Sequence, residues 1–200
     1  MTINTQNLLV RDGALIGADT FGRGNGGNLT VNASGKVELI GTSVDGRFGS
    51  GLFAQQNRRN GIGNAGVLKV NTQNLIVRDG AQVSTATFGA GRGGNLTINA
   101  SGKVELIGRS ADNSSPSGLI SAAAQGSTGD AGDLTINAED LFIRDGAEVI
   151  TATIGAGNGG NFKLSILLVN SSLLVSLLII FIALLCVLLL VQVQKEMQET

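Results

Sequence analysis

Histidine, tryptophan and tyrosine are absent from this 200-residue chain, and it has one cysteine and one proline. Without histidine no Ser-His-Asp or Cys-His arrangement can be assembled, and the common nitrogen ligand of zinc is missing. The lone cysteine, Cys186, sits in an apolar stretch, where an inert buried thiol is expected, and no disulfide can form within the chain. Base stacking on tyrosine or tryptophan is excluded. Charge points the same way: twelve basic and thirteen acidic residues spread over 1–161 leave no basic footprint for nucleic acid. No cofactor, no nucleic acid and no small-molecule substrate is expected from this inventory.

What the chain has is repetition. Residues 26–41 read GGNLTVNASGKVELIG, and residues 93–108 repeat the phrase with one conservative change. The segment starting NLLVRDGA at Asn7 returns as NLIVRDGA from Asn74 and as DLFIRDGA from Asp140, a super-repeat of 66–67 residues. It splits in two, because an L-x-[V/I]-N signature recurs at Leu29, Leu68, Leu96 and Leu134, with a weakened form at Met1. Five units follow: 1–28, 29–67, 68–95, 96–133 and 134–161. The longer ones carry about ten extra residues, assigned to the excursions Thr42–Gly51 and Arg109–Gly118.

Within each unit the apolar residues alternate, as in Leu96-x-Ile98 and Val104-x-Leu106. Period two in runs of three to five residues, punctuated by Asn, Asp and Gly, predicts about three short strands per unit and no helix in 1–161. One unit cannot bury its own apolar face, so the units must stack. The expected fold is all-β, a parallel β-solenoid of about five coils advancing about 4.8 Å per coil. Its core columns should be Leu29/Leu68/Leu96/Leu134, Val31/Val70/Ile98/Ile136 and Leu39/Val77/Leu106/Ile143. Thirty glycines suit a turn-rich coil with small residues at its corners.

Asn4, Asn32, Asn71, Asn99 and Asn137 recur after the first strand of every unit. Stacked at one corner, their amides would hydrogen-bond along the rod; alternatively, asparagine tolerates left-handed turn geometry there. The RDG triplets read as tight turns, with Gly13, Gly80 and Gly146 supplying positive φ. Four G-x-G-x-x-G matches, such as Gly22/Gly24/Gly27 and Gly89/Gly91/Gly94, imitate a dinucleotide fingerprint. Each precedes a strand rather than opening a helix, so they read as corner loops. A dedicated calcium site is not expected, because the recurring corner position holds Asn28, Val67, Asn95, Asp133 and Asn161 and neutral amides replace carboxylates poorly around a hard cation. The loop acids Asp19, Asp45, Asp112 and Asp130 are read as falling at non-equivalent places in their units, which speaks against a convergent acidic groove and against an enzyme. Binding, if the chain binds, is expected at the excursions, which differ most between copies (SVDGRF against SADNSSP). Asp45, Arg47, Phe48, Asp112 and Asn113 are the candidate contact residues there.

Repeats of the form GGNLTINAS…VELIG…SGLISAAAQGSTGDAGDLTINAEDLFIRDGAEVITAT resemble those of large bacterial exoproteins of the filamentous haemagglutinin type, over about residues 1–161. The resemblance implies a right-handed parallel β-helix, export by a two-partner route and display at the cell surface or outer membrane as an adhesin, with cell-surface or glycan ligands. Met1 falls in mid-repeat with no n-region or h-region behind it, so the chain is expected to be an internal piece without a signal peptide.

The repeat is expected to end in a junction, 162–172. Residues 173–191, LLVSLLIIFIALLCVLLLV, hold sixteen Leu, Ile, Val or Phe in nineteen. As a helix they span about 28 Å, close to a hydrocarbon core of about 30 Å. Insertion gains at most about 5–10 kcal/mol. A transmembrane helix over 173–193 and a polar tail over 194–200 are therefore expected, with the chain membrane-associated through this segment. The tail is either a true C-terminal anchor or the product of a frameshift after residue 164. The functional expectation is a non-enzymatic structural or adhesive segment. The alternatives are a non-functional truncated or frameshifted fragment and, more remotely, a polysaccharide-degrading enzyme.

Overall fold

A computed structural model describes residues 1–58, 61–124, 127–154 and 156–166. The segments 173–193 and 194–200, and the junction beyond residue 166, lie outside the described residues. Residues 1–166 make one compact unit.

Three strands form each coil. The first coil has Thr2–Thr5 (β1), Leu8–Arg11 (β2) and Leu15–Gly17 (β3); the second has Leu29–Ala33 (β4), Lys36–Ile40 (β5) and Gly51–Phe53 (β6). Leu68–Thr72 (β7), Asn74–Arg78 (β8) and Gln82–Ser84 (β9) make the third, and Leu96–Ala100 (β10), Lys103–Ile107 (β11) and Gly118–Ala123 (β12) the fourth. The fifth has Leu134–Ala138 (β13), Asp140–Arg144 (β14) and Glu148–Thr153 (β15). Phe162–Ile166 (β16) lies within the segment read as a junction and pairs with β13 as the opening strand of a sixth coil.

Every ladder is parallel, and each strand pairs with its counterpart one coil away. The three sheets are β1-β4-β7-β10-β13-β16, β2-β5-β8-β11-β14 and β3-β6-β9-β12-β15. A parallel sheet needs a crossover between neighbouring strands, and here each crossover is the other two sides of the coil. The fold is therefore an all-β solenoid of stacked parallel sheets.

Alternation sends one side chain in two to the interior. In β4, β10 and β13 the burial alternates residue by residue. Leu29, Leu68, Leu96 and Leu134 stack in register and are fully buried, as are Val31, Val70, Ile98 and Ile136. On the second sheet Leu39, Val77 and Leu106 are fully buried, whereas Ile143 in the fifth coil is 45% exposed. The third sheet contributes Leu52, Val83 and Leu119. At about 1.5–3 kcal/mol per fully buried aliphatic side chain, these columns are the main force holding coil to coil.

The extra length of the even coils is not confined to the excursions. In the first sheet Thr2 pairs with Thr30, an offset of 28; in the second Val10 pairs with Leu39, an offset of 29; in the third Ile16 pairs with Leu52, an offset of 36. The second coil therefore carries one more residue than the first at the first corner and seven more at the second. The next pairing in the first sheet, Leu29 with Leu68, has an offset of 39, which places three more at the third corner. Sequence comparison pools such insertions in the most variable stretch, whereas ladder register assigns them corner by corner.

Candidate functional site

Each corner of the coil is a column running the length of the rod, and each solves its polar problem differently.

At the corner between the first and second sheets, Asn4, Asn32, Asn71, Asn99 and Asn137 occupy the penultimate outward-facing strand position, or its equivalent in β1 and β13. Their amides form a continuous chain: Asn32 Nδ2 donates to Asn4 Oδ1 at 2.8 Å, Asn71 to Asn32 at 2.7 Å, Asn99 to Asn71 at 2.8 Å and Asn137 to Asn99 at 2.8 Å. None of the five has positive φ, so a left-handed turn is not what asparagine supplies here. Between this position and the second strand the even coils have one more residue than the odd ones. The N–H of Lys36 and of Lys103, just after it, is taken up by a side chain of the coil before: Asn7 Oδ1 at 2.9 Å and Asn74 Oδ1 at 3.1 Å. A groove of 610 Å³ follows the amide chain, lined by residues of all five coils from Asn4 to Asn137. No charged residue lines it.

At the second corner, tight turns alternate with hairpins. Arg11-Asp12-Gly13-Ala14 closes with Ala14 N–H on the Arg11 carbonyl at 3.0 Å, and the turns at Arg78 and Arg144 close likewise. Both central residues have positive φ, about 59° at Asp12 and 80° at Gly13, as in a type I′ turn. Positive φ is thus shared between Asp12, Asp79 and Asp145 and the glycines after them. Glycine is required for a second reason. A Cβ on Gly13 would collide with Ser43 and one on Gly80 with Ser110, where the next coil's hairpin crosses.

Those hairpins are the excursions, closed by antiparallel bridges Thr42–Gly49 and Arg109–Pro116. Their side chains differ, but their internal framework is one design. The Ser43 hydroxyl donates to Asp45 Oδ1, and Phe48 N–H returns to Ser43 Oγ at 3.1 Å. In the second hairpin Ser110 donates to Asp112, and Ser115 N–H returns to Ser110 Oγ at 2.9 Å. Asp45 and Asp112 are therefore equivalent, which corrects the sequence reading of them as non-equivalent; their separation of 67 residues is one super-repeat. Gly46 and Asn113 take the same positive-φ place, at 70° and 59°, so Asn113 is first a turn residue. The Ser110 hydroxyl, with the amide and hydroxyl of Ser114, pulls the Asp112 carboxyl down to about 2. Asp45 is lowered by its Ser43 hydrogen bond and the Arg47 N–H. A 210 Å³ cleft separates the two hairpins. Val44 lines it and is exposed, and Phe48 in the same hairpin is 53% exposed. Sequence reasoning missed Ser50 and Ser117. Fully buried behind the hairpins, their hydroxyls accept the N–H of Gly13 and Gly80, each at 2.9 Å. The Ser-Gly pair ending each excursion was the available signal.

The third corner holds the G-x-G-x-x-G segments. Gly66, Gly94, Gly132 and Gly160 form one column and Gly63, Gly91, Gly129 and Gly157 another. At each, a Cβ would run into the carbonyl oxygen of the glycine one coil earlier. The glycines are there for backbone-on-backbone packing. Between them Asn25 Oδ1 accepts Asn64 N–H and Asn64 Oδ1 accepts Arg92 N–H, both at 2.9 Å, and Asp130 Oδ1 accepts Asn158 N–H at 2.9 Å. That last bond holds the Asp130 carboxyl below its usual value. Asp19, near the start of this corner, goes the other way: burial raises it, against hydrogen bonds from Gln55 N–H and Asn57.

The described residues contain no group of three or more His, Cys, Asp or Glu arranged to hold a metal ion. Asp130 and Asp133 spend one oxygen each on the amides of Asn158 and Asn161. Among the described residues no helix is long and apolar enough to cross a membrane; the candidate span 173–191 is not among them. No family model, curated protein or solved structure matches the chain.

Proposed function

We propose that this chain is a non-catalytic structural and adhesive segment of a bacterial surface or secreted exoprotein of the filamentous haemagglutinin type. In this reading the solenoid is right-handed, as β–crossover–β connections are in about 98% of cases. The apolar run 173–191 attaches the chain to a membrane, by the hydropathy argument alone.

The observation that supports it best is the pair of hairpins. They stand at the same corner two coils apart and share the Ser-x-Asp framework. They differ in the side chains presented: Val44, Arg47 and Phe48 in one, Ala111, Ser114 and Ser115 in the other. A constant scaffold bearing variable loops at a fixed spacing is how a repeat protein presents a contact surface. Weak contacts repeated along such a flank add through multivalency.

The test is avidity. The full 200-residue chain, coupled in many copies to beads, should bind host cells or glycan-coated surfaces at least 100-fold better than in solution. Replacing residues 43–48 and 110–115 by short glycine turns should remove that gain while the β-type circular dichroism persists. Unchanged avidity without the hairpins would move the contact surface elsewhere, and turnover of a polysaccharide would overturn the non-catalytic reading.

A further inference from the structure

We infer that the amide-lined groove at the first corner is a binding site for a neutral, β-linked polysaccharide lying parallel to the rod. This goes beyond the adhesive reading, because it does not involve the hairpins.

The ladder uses only part of its hydrogen-bonding capacity. An asparagine amide carries two N–H donors and an oxygen with two lone pairs. Asn32, Asn71 and Asn99 each give one N–H to the coil before and accept one from the coil after. One donor and one lone pair per coil remain, all oriented alike because the ladder fixes the amide planes. The groove's 610 Å³ lies within the roughly 300–1,000 Å³ usual for ligand sites.

Geometry and charge select the ligand. The groove repeats once per coil, about 4.8 Å, over a length of about 19 Å from Asn4 to Asn137. An extended peptide advances about 3.3 Å per residue and falls out of step within two coils. A β-linked pyranose chain advances by nearly one coil per ring, so successive hydroxyls meet successive amides. Nucleic acids and polyuronates are disfavoured because no cation lines the groove. Ala33, Ala100 and Thr72 lie beneath the amides and are more than nine-tenths buried, so contact with the sugar falls to the amides and the rim. The exposed rim residues Ser34, Gln73 and Ser101 provide further polar groups in register. With no aromatic platform each ring binds weakly, and affinity must grow with chain length.

The experiment follows the side-chain amide resonances of Asn32, Asn71 and Asn99 in ¹⁵N-labelled full-length chain in detergent, titrated with cellohexaose and with chitohexaose. At least one hexamer should shift these resonances, bind at least tenfold tighter than its disaccharide and leave oligogalacturonate without effect. The rim variant Ser34→Arg/Ser101→Arg, which places bulky cations on two exposed positions, should lose binding at least tenfold and keep its β-type spectrum. Deleting both hairpins should leave hexamer binding intact. The inference is overturned if neither hexamer moves the amides, if disaccharide and hexamer bind alike, or if the anionic oligomer competes equally. Bead-displayed chain that binds cells through its hairpins while neither hexamer binds would sink this inference and leave the adhesive reading standing. Hexamer binding without hairpin-dependent avidity would do the reverse.

Discussion

The amide corner and the glycine corner are both columns of asparagine and small residues running the length of the rod, yet they hold their coils in opposite ways. At the amide corner side chain bonds to side chain, outside the backbone, and the coils leave an open groove. At the glycine corner the side-chain oxygen bonds backbone N–H, and missing Cβ atoms let peptide units of successive coils come into contact. One column can lose a side chain and keep its backbone spacing. The other cannot gain even a methyl group. A stacked fold therefore has tolerant corners, where surface chemistry can change, and intolerant ones, where it cannot.

The largest effect should come from adding one carbon at the intolerant corner. Gly94→Ala should cost about 3 kcal/mol or more in chemical denaturation, since backbone rather than a movable side chain blocks the new Cβ. Gly24→Ala is the internal control: nothing lies within 4 Å of its Cβ position, and a change within about 0.5 kcal/mol is expected. Both glycines lie at this corner, Gly24 in the first coil with no earlier coil against it, so equal costs would mean that the stacked backbone is not what excludes a side chain there.

A smaller and graded effect belongs to the ladder. Asn71→Ala breaks bonds to both Asn32 and Asn99, whereas Asn4→Ala breaks only the one from Asn32. At about 1 kcal/mol per bond, the central substitution should cost roughly twice the terminal one. Were Asn71→Ala to prove silent, the amides would be surface decoration rather than a column that fixes the groove.

The smallest effect is in the pH dependence, and its sign differs between corners. The Asp112 carboxyl, at about 2 in the hairpin, lies below its ordinary value of 3.8. Its contribution is therefore present above that ordinary value and is lost as pH falls toward 2. Asp19, raised by burial, contributes in the opposite sense: its share of stability is complete below 3.8 and is lost as pH rises through the raised value. Melting temperatures between pH 2 and 6 should show Asp112→Asn flattening the acid side of the profile, while Asp19→Asn relieves a loss on the neutral side. Parallel profiles for the two variants would contradict the assigned environments.

Much of the architecture was legible because it rests on local alternation. Leu96 and Ile98 point inward, and Thr97 between them outward, for a reason contained in any strand of period two. The leucine and valine columns were legible too, since identical phrases stack on themselves. The equivalence of Asp45 and Asp112 was readable from the super-repeat and was obscured by the differing residues around them. The distribution of extra residues was not legible. The single residue inserted before Lys36 shows in the ladder register and in the Asn7 oxygen that receives the Lys36 N–H, 29 positions away. The buried hydroxyls of Ser50 and Ser117 were only half legible: the recurring Ser-Gly pair marks the position, but not the backbone donor one coil distant that each hydroxyl faces.

The residues alone determined the repeat, the strand period, the inward columns and the chemistries excluded by missing histidine and absent aromatic platforms. Those follow from composition and from contacts between near neighbours, which a linear pattern encodes. Tertiary structure decided which polar groups meet: the directed amide chain, the shared hairpin framework and the glycine columns. The amide chain and the glycine columns join atoms 28 to 39 positions apart, and the partner depends on how many residues every intervening corner absorbs. The corners absorb one, seven and three extra residues without moving the strands out of register, so only the closed coil settles which polar groups meet.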